Sequence, residues 1–530
     1  MESRTIRYGL TGFAALLLAF GGSASSQAQP AQDPGPRGGD AGAGDKFPGL
    51  PDPLQKLFDA GRDEFMKQDK VKDDQTSNNG GLGPRMNLDS CLSCHFNPGP
   101  GGSSPGDNPQ FAFFNAPPPR GVNHSTNKLP SFITVNGPTR EARFKQIRDP
   151  SNGAPVGPDG GVHDLFTIAG MQDATGCKLE QPDFEEELRH NNVIFRIPTP
   201  VFGAGLIEQI PDKAIIDNIN NPKDADQKKA LGISRKVNVV VSGGTITAQN
   251  TKIEQPKPNK NGNDGTIARF GWKAQDKSLL IFSGEAYNVE MGISNELFQT
   301  EREEASNCQF KPTPNDATDP SHITEMDPVK RLDILSDIEK FASFMRLLAP
   351  PVPSSDIPGG SGSIAKGNTL FSEVGCALCH TPTLHTVKFA DPQLCEKSAI
   401  PQLCDKDVNL FSDLALHHMG AKLDDGITQG QAERDEFRTA PLWGLGKRIF
   451  FLHDGRTRDL VQAIEEHHSL STINFRCRLL SFFGLSQLCR PEDGTIASEA
   501  NAIVDKYNKL PDTDPSSPSK QDLLNFLRSL

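Results

Sequence analysis

Residues 91 to 95 read CLSCH, and residues 376 to 380 read CALCH. Two thiols three positions apart, followed at once by an imidazole, suit one piece of chemistry. The thiols add to the two vinyl groups of a haem, and the histidine places a neutral ring nitrogen on the iron. The two intervening residues set the sulfurs at a separation that matches the porphyrin edge. A structural zinc site would want a second close Cys or His pair near each motif, and a thioredoxin-type CxxC would want a βαβ context. The sequence offers neither. Cys91, Cys94 and His95 are therefore assigned to one covalently bound haem c, and Cys376, Cys379 and His380 to a second.

Covalent attachment of this kind requires assembly outside the cytoplasm, and the N-terminus agrees. Arg4 and Arg7 precede the apolar run YGLTGFAALLLAF, and small residues follow. This is the pattern of a secretory signal, with cleavage expected after Ala28 and the periplasm as destination. The run is short for a bilayer span, and no later segment is an uninterrupted apolar stretch, so no integral membrane protein is expected. The chain has 530 residues and a net charge of -12, which argues against nucleic acid as a partner and suits a basic redox partner. Of ten cysteines, six lie outside the two motifs. Export invites three disulfides: Cys395 with Cys404, Cys477 with Cys489, and Cys177 with Cys308 as the long staple.

The elements that must position the motifs can be read from periodicity and breakers. Residues 29 to 46 are rich in Gly, Pro, Ala and Asp and read as a disordered leader. Residues 53 to 67 have helical apolar spacing at Leu54, Leu57, Phe58 and Phe65. Residues 97 to 120 read as loop, and residues 236 to 250 alternate around Gly-Gly as a strand or hairpin. An amphipathic helix over 336 to 351 ends at two prolines, and the linker PVPSSDIPGGSGS follows over 351 to 363.

Past the linker the first half partly repeats. AGRDEF (60 to 65) answers AKGNTLF (365 to 371), and VIFRIPTPVFGAGL (193 to 206) answers DEFRTAPLWGLG (435 to 446). FASFMRLL (341 to 348) answers LLNFLRSL (523 to 530). Three matched pieces in one order indicate a duplicated unit with an entry helix, a CxxCH, an Arg-Pro loop and an exit helix. The expected architecture is mainly α, with two tandem cytochrome-c-like haem domains. The divisions are a signal over 1–28, a leader over 29–50, an N-terminal haem c domain over 51–350 and a C-terminal one over 364–530. An insertion over about 210–330 carries the minor β structure.

What sits opposite each histidine decides function. A haem with two strong axial ligands carries electrons, whereas one with an open face binds peroxide or oxygen. In DLVQAIEEHHS, Leu460, Ala463, Ile464 and His467 share one helical face, so His467 points towards the core; its neighbour His468 and Met419 are competing donors. The order CxxCH, FRTAPLW, HDGR and then a helix with Ala463 resembles the bacterial di-haem cytochrome c peroxidase superfamily, which includes the enzyme that matures methylamine dehydrogenase. In that superfamily the position four after the helix alanine is a Met or Tyr haem ligand; here it is His467, so the resemblance implies His467 as an iron ligand. Within it, the chain is most similar to the di-haem oxidoreductase (peroxidase-like) family. GLGPRMNLDSCLSCHFNPGPGGSSP, GGVHDLFTIAG, IPTPVFGAGLIEQI, ARFGWKAQ and MGISNELFQTERE carry that likeness with the C-terminal block.

The N-terminal unit has no HDG element; GAGLIEQIPDKAI stands in its place, as an open distal face would require. Glu208 lies where a distal acid–base could sit, moving a proton from the near to the far oxygen of peroxide. His163 is the alternative, as distal ligand or base, with His124 and His190 as lesser candidates. Arg196 and Arg438 occupy matched positions suited to haem propionates or to structural salt bridges, and Trp272 or Trp443 could relay an electron. The preferred reading is a di-haem oxidoreductase that reduces hydrogen peroxide at the N-terminal haem. Electrons would come from a small donor protein of cytochrome or cupredoxin type, by way of the C-terminal haem. Two alternatives stay open: an electron-transfer cytochrome, and a haem oxidase or oxygenase acting on an organic or protein substrate. Related peroxidases hold calcium between their domains; the many Asp residues permit one, though no spaced calcium loop is visible.

Overall fold

The computed structural model describes residues 30–72, 80–116, 127–163, 170–171, 173–177, 179–239, 267–303, 305–387, 400–472, 479–480, 495–514 and 516–530. The export signal, residues 240–250 of the expected hairpin, His124, Cys395, Cys477 and Cys489 lie outside them. The fold is mainly α, and the β structure described is four two-stranded antiparallel sheets with a few single bridges. No helix among the described residues is long and apolar enough to cross a membrane. Cys177 and Cys308 form a disulfide, and Cys404 is also disulfide-bonded. Among the described residues, the thiols left free are the four of the CxxCH motifs.

The two halves are built on one frame. In the first, helix α1 (Asp52–Met66) packs against α3 (Asp337–Leu347). In the second, α4 (Gly360–Val374) packs against α7 (Lys520–Ser529). Both later helices begin with a capping box, Ser336 with Glu339 and Ser519 with Asp522, in which side chain and backbone N–H satisfy each other. The crossings are set by glycine. A Cβ on Gly61 would fall on the Lys340 carbonyl and Phe344 Cβ, and one on Gly367 would fall on the Asp522 carbonyl and Phe526 Cβ. Four residues beyond each glycine, one helical turn on, Phe65 and Phe371 turn their rings towards His95 and His380 at centroid distances of 6.0 and 6.5 Å. A second glycine pair repeats the pattern: Gly205 lies under the Arg346 carbonyl, and Gly446 under that of Arg528. The sequence repeat is therefore a repeat of contacts.

Helix α2 (Leu279–Met291) lies against α3 and completes the first core, with Phe58, Phe344, Leu279 and Ile338 essentially buried. Full burial of such side chains contributes about 1.5–3 kcal/mol each. The second core collects Phe371, Leu378, Leu460, Tyr507 and Phe526. The halves are intergrown, because the first core also takes Leu410, Leu414 and Ala415 from beyond the linker.

Several expectations are corrected. Residues 30–50 do not form a loose leader. Asp33 accepts two hydrogen bonds from Arg528, at 2.7 and 2.6 Å, and Arg37 donates to the Val352 carbonyl at 2.8 Å. A Gly/Pro-rich segment lacks apolar side chains, but here buried polar contacts order it. Within 97–120, Pro109–Asn115 is a helix, capped by the Asn108 side chain. Strands pair outside the expected insertion: Glu141–Phe144 with Val193–Arg196, and Leu416–His418 with Glu436–Arg438. Among the described residues of 210–330, pairing is limited to single bridges. The C-terminal helix starts at Gly360, inside the expected linker, because Gly359 adopts the left-handed conformation that turns the chain into it.

Candidate functional site: two enclosed cavities

The C-terminal cavity is lined by Cys376, Cys379 and four histidines, His380, His417, His453 and His467, with an apolar wall that includes Leu445, Phe451, Leu460 and Leu527. His380 bonds the Phe411 carbonyl through Nδ1 at 3.0 Å, and His467 bonds the Ala463 carbonyl through Nδ1 at 2.7 Å. A carbonyl only accepts, so both Nδ1 atoms carry the proton, and both Nε2 lone pairs remain for a metal. Enclosure pushes His380 down to about 4, with His467 acting the same way, and it lowers His467 too. Both rings are thus neutral, as iron ligands must be. Helix α5 (Leu460–Glu465), capped by Asp459, holds His467 one turn beyond Ala463.

Arg438 and Arg448 line the same cavity. Among the described residues, Arg438 donates to the carbonyls of Gly271 and Thr439 and has no acidic partner, and Arg448 has no side-chain hydrogen bond or ion pair. Enclosure lowers both to about 10. Two enclosed guanidiniums without counter-charge suit a ligand that carries carboxylates, as haem does. A neutral-imidazole pair, two thiols and this cationic wall fit a covalently held haem.

The N-terminal cavity is lined by Cys91, Cys94 and His95 and by Phe282, Ala286, Tyr287 and Glu290 of α2. His95 bonds the Gly102 carbonyl through Nδ1 at 3.0 Å, which again leaves Nε2 available. Among the described residues, no second histidine lines this cavity. Instead it holds Glu141, Arg143 and Glu290. Arg143 Nε donates to Glu141 Oε2 at 3.0 Å. Glu290 is held protonated: enclosure raises it well above the usual carboxylate range, and the charge and hydrogen bond of Glu141 push the same way. Glu141 is held ionised: enclosure works against this, but Arg143 and the hydrogen bond from Glu290 prevail. The pair keeps one proton between two carboxylates, the arrangement that separates an acid from a base. On the same wall Arg196 Nε and Gln275 Oε1 are buried polar atoms with no hydrogen-bond partner in the described structure, so the cavity has donors and acceptors to offer a bound group.

The sequence-derived residues fall in different places. The six CxxCH residues, Arg196, Arg438 and His467 all line the cavities. Glu208 does not line either. It binds Arg346 at 2.7 and 3.1 Å and accepts the Leu279 N–H at 2.8 Å. Asp33 does the same for Arg528, so Glu208 is half of a repeated structural clasp. His163 stacks on Phe144 at 4.0 Å and lies 3.3 Å from Asp159, outside the cavities; His190 is exposed beside Glu186. Arg196 is bound to Asp425 at 2.7 Å and Gln429 at 2.6 Å. Met419 lines the C-terminal cavity, whereas His468 lies 3.7 Å from Asp505. Trp272 lines both cavities and donates to the Ile197 carbonyl at 2.9 Å; Trp443 lines a smaller space beside them. Glu141, Glu290 and Arg448 escaped sequence reasoning. The one signal was charge set inside apolar runs, as in LLIFSGEAYNVEM and GLGKRIFF.

No curated protein matches the chain. The family model described as "Di-haem oxidoreductase, putative peroxidase" matches residues 158–475, which is 318 of 530 positions. A di-haem family implies two haem groups, and the two cavities supply a place for each. The chain belongs to the di-haem oxidoreductase family.

Proposed function

We propose that this protein is an exported di-haem c oxidoreductase of two cytochrome-c-like units that reduces hydrogen peroxide in its N-terminal cavity. Cys91 and Cys94 would hold one haem with His95 on its iron; Cys376 and Cys379 would hold the other, between His380 and His467. One observation carries the reading: the C-terminal cavity is lined by several imidazoles, with His380 and His467 each bonded to the chain through Nδ1 alone, whereas among the described residues the N-terminal one is lined by a single imidazole, His95, and a carboxyl pair. The haems supply the electrons and the iron at which peroxide binds.

The residues of the chain supply the protons and the positioning. Glu141 takes the proton of the near peroxide oxygen, and Glu290 delivers its own to the far oxygen as that leaves as water. Arg143 fixes Glu141 and keeps it ionised. The apolar ring of Phe282 and the backbone of α2 exclude bulk water. Arg438 and Arg448 bind the propionates of the C-terminal haem. Trp272, lining both cavities, lies on the electron route from the C-terminal to the N-terminal haem, and the acidic surface steers a basic donor of cytochrome or cupredoxin type.

A second reading, a plain electron carrier, draws on Met291 and Met345, whose thioethers also line the N-terminal cavity. Optical and EPR spectroscopy of the oxidised and half-reduced holo-protein, with and without cyanide or peroxide, separates the two. One high-spin haem that takes the added ligand is expected. Two low-spin haems that ignore it in every redox state would overturn the peroxidase reading.

A further inference from the structure

The chain has three tyrosines, and the two in described positions, Tyr287 and Tyr507, each line one cavity. Both are nearly fully buried, at 3% and 2% exposure. Their hydroxyls differ. That of Tyr507 has no hydrogen-bond partner among the described residues. That of Tyr287 lies between two carboxylates, 3.3 Å from Asp69 Oδ2 and 3.2 Å from Asp337 Oδ2.

A buried tyrosine hydroxyl usually finds some partner, so a single hydrogen bond would mean little. The unusual feature is what stands behind it. Asp69 and Asp337 belong to a network of four carboxylates, with Glu64 and Asp316, against two ammonium groups, Lys67 and Lys340. Burial pushes Asp69 and Asp316 up to about 7, so the network takes up and releases a proton near neutrality. Taking an electron from a phenol is strongly uphill unless its proton leaves at the same time, and that requires a base already at hydrogen-bond distance. Tyr287 has two; Tyr507 has none. The Tyr287 ring packs edge-on against Phe341 at 5.0 Å, which holds it in the cavity wall.

Resting on the peroxide reading above, we propose that Tyr287 is a one-electron donor to the N-terminal site. Reduction of one peroxide to two waters consumes two electrons and two protons. When the C-terminal haem cannot supply its share, the O–H bond of Tyr287 breaks. The electron would pass to the N-terminal haem, the proton passes to Asp69, the more basic of the two carboxylates because, against burial, Lys67 and Lys340 hold Asp337 low, and a neutral tyrosyl radical remains. One electron from the donor protein, with return of the proton, restores the phenol.

The test treats the holo-protein with hydrogen peroxide, freeze-quenches it and records EPR, while the haem optical spectrum is followed in parallel. Wild type and Tyr507→Phe should give a tyrosyl signal that narrows when the protein is grown with ring-deuterated tyrosine. Tyr287→Phe should lose that signal while peroxide still changes the haem spectrum. A haem change without a tyrosyl signal in wild type, or a signal that survives Tyr287→Phe, overturns the proposal and leaves the peroxide reading standing. If Tyr287→Phe does not accumulate, Tyr507→Phe decides: loss of the signal there assigns the radical to the other tyrosine. Absence of any haem change on adding peroxide overturns both readings together.

Discussion

A single hydrogen bond decides what His467 can do. Because Nδ1 is spent on the Ala463 carbonyl, Nε2 keeps its lone pair, and His467 lines the same cavity as His380. His467→Ala should convert the C-terminal haem from low-spin to high-spin and open it to cyanide, leaving the N-terminal signals as they were; EPR of the oxidised protein checks this. His467→Met should keep it low-spin and raise its reduction potential, as thioether ligation does. At the other cavity the useful group is a proton. Glu290→Gln removes the acid but keeps the shape, and peroxide turnover should fall by roughly 10²–10⁴-fold. The pH dependence has a defined sign. Glu290 has a raised pKa, so it is protonated at low and neutral pH and loses its proton as pH climbs through that value. The alkaline limb of kcat/KM against pH should therefore disappear in Glu290→Gln.

At the scale of elements, the frame depends on four glycines rather than on any large side chain. Gly367→Ala would drive a methyl into the Asp522 carbonyl at the crossing of α4 and α7. The expected loss is about 1–3 kcal/mol, read as a lower thermal midpoint of the holo-protein, with Gly61→Ala doing the same in the other half. These crossings were legible in the sequence because their information is local. A glycine and an aromatic four residues on repeat ahead of both CxxCH motifs, and the exit helices repeat around Phe344 and Phe526. The C-terminal cavity was legible for the same reason, since His467 sits one helical turn from Ala463. The N-terminal cavity was not. Glu141 sits on a strand and Glu290 on a helix far along the chain, and only the tertiary fold brings them to one cavity. Glu208 was attractive because GAGLIEQIPDKAI stands where the other half carries its HDG element. The repeat accounts for it in another way: both halves place a carboxylate on the arginine of the exit helix, and the C-terminal half borrows that carboxylate from residue Asp33. Composition reads such a segment as loose, because hydropathy does not register a two-point clasp.

For the whole molecule, the seam between the halves is a buried charge cluster. Asp425 is fully buried at its side chain and binds Arg196 at 2.7 Å and Lys273 at 3.2 Å. Lys273 also donates to the carbonyls of Glu433, Arg434 and Glu436, so one ammonium fills a cage of four oxygens. Such a cluster is sensitive to loss of one member, because the remaining charges stay buried. Asp425→Ala should cost about 3–5 kcal/mol and is checked by urea unfolding of the holo-protein. Trp272 is the neighbour of Lys273 in the chain, so the same variant should slow electron passage between the haems, measured by stopped-flow after half-reduction.

The clasp of Asp33 on Arg528 has a consequence for the order of events in biogenesis. The two residues are 495 positions apart, and Asp33 also caps the Leu460 N–H of the helix that carries His467. A ribosome makes Asp33 among the first ordered residues and Arg528 among the last. The early segment therefore waits while everything between is synthesised, and Arg528 meets its carboxylate only when that segment is laid back over α7. Closure of the second half is thus a late step: the hold on the helix that precedes His467 is complete only once both ends of the clasp are in place.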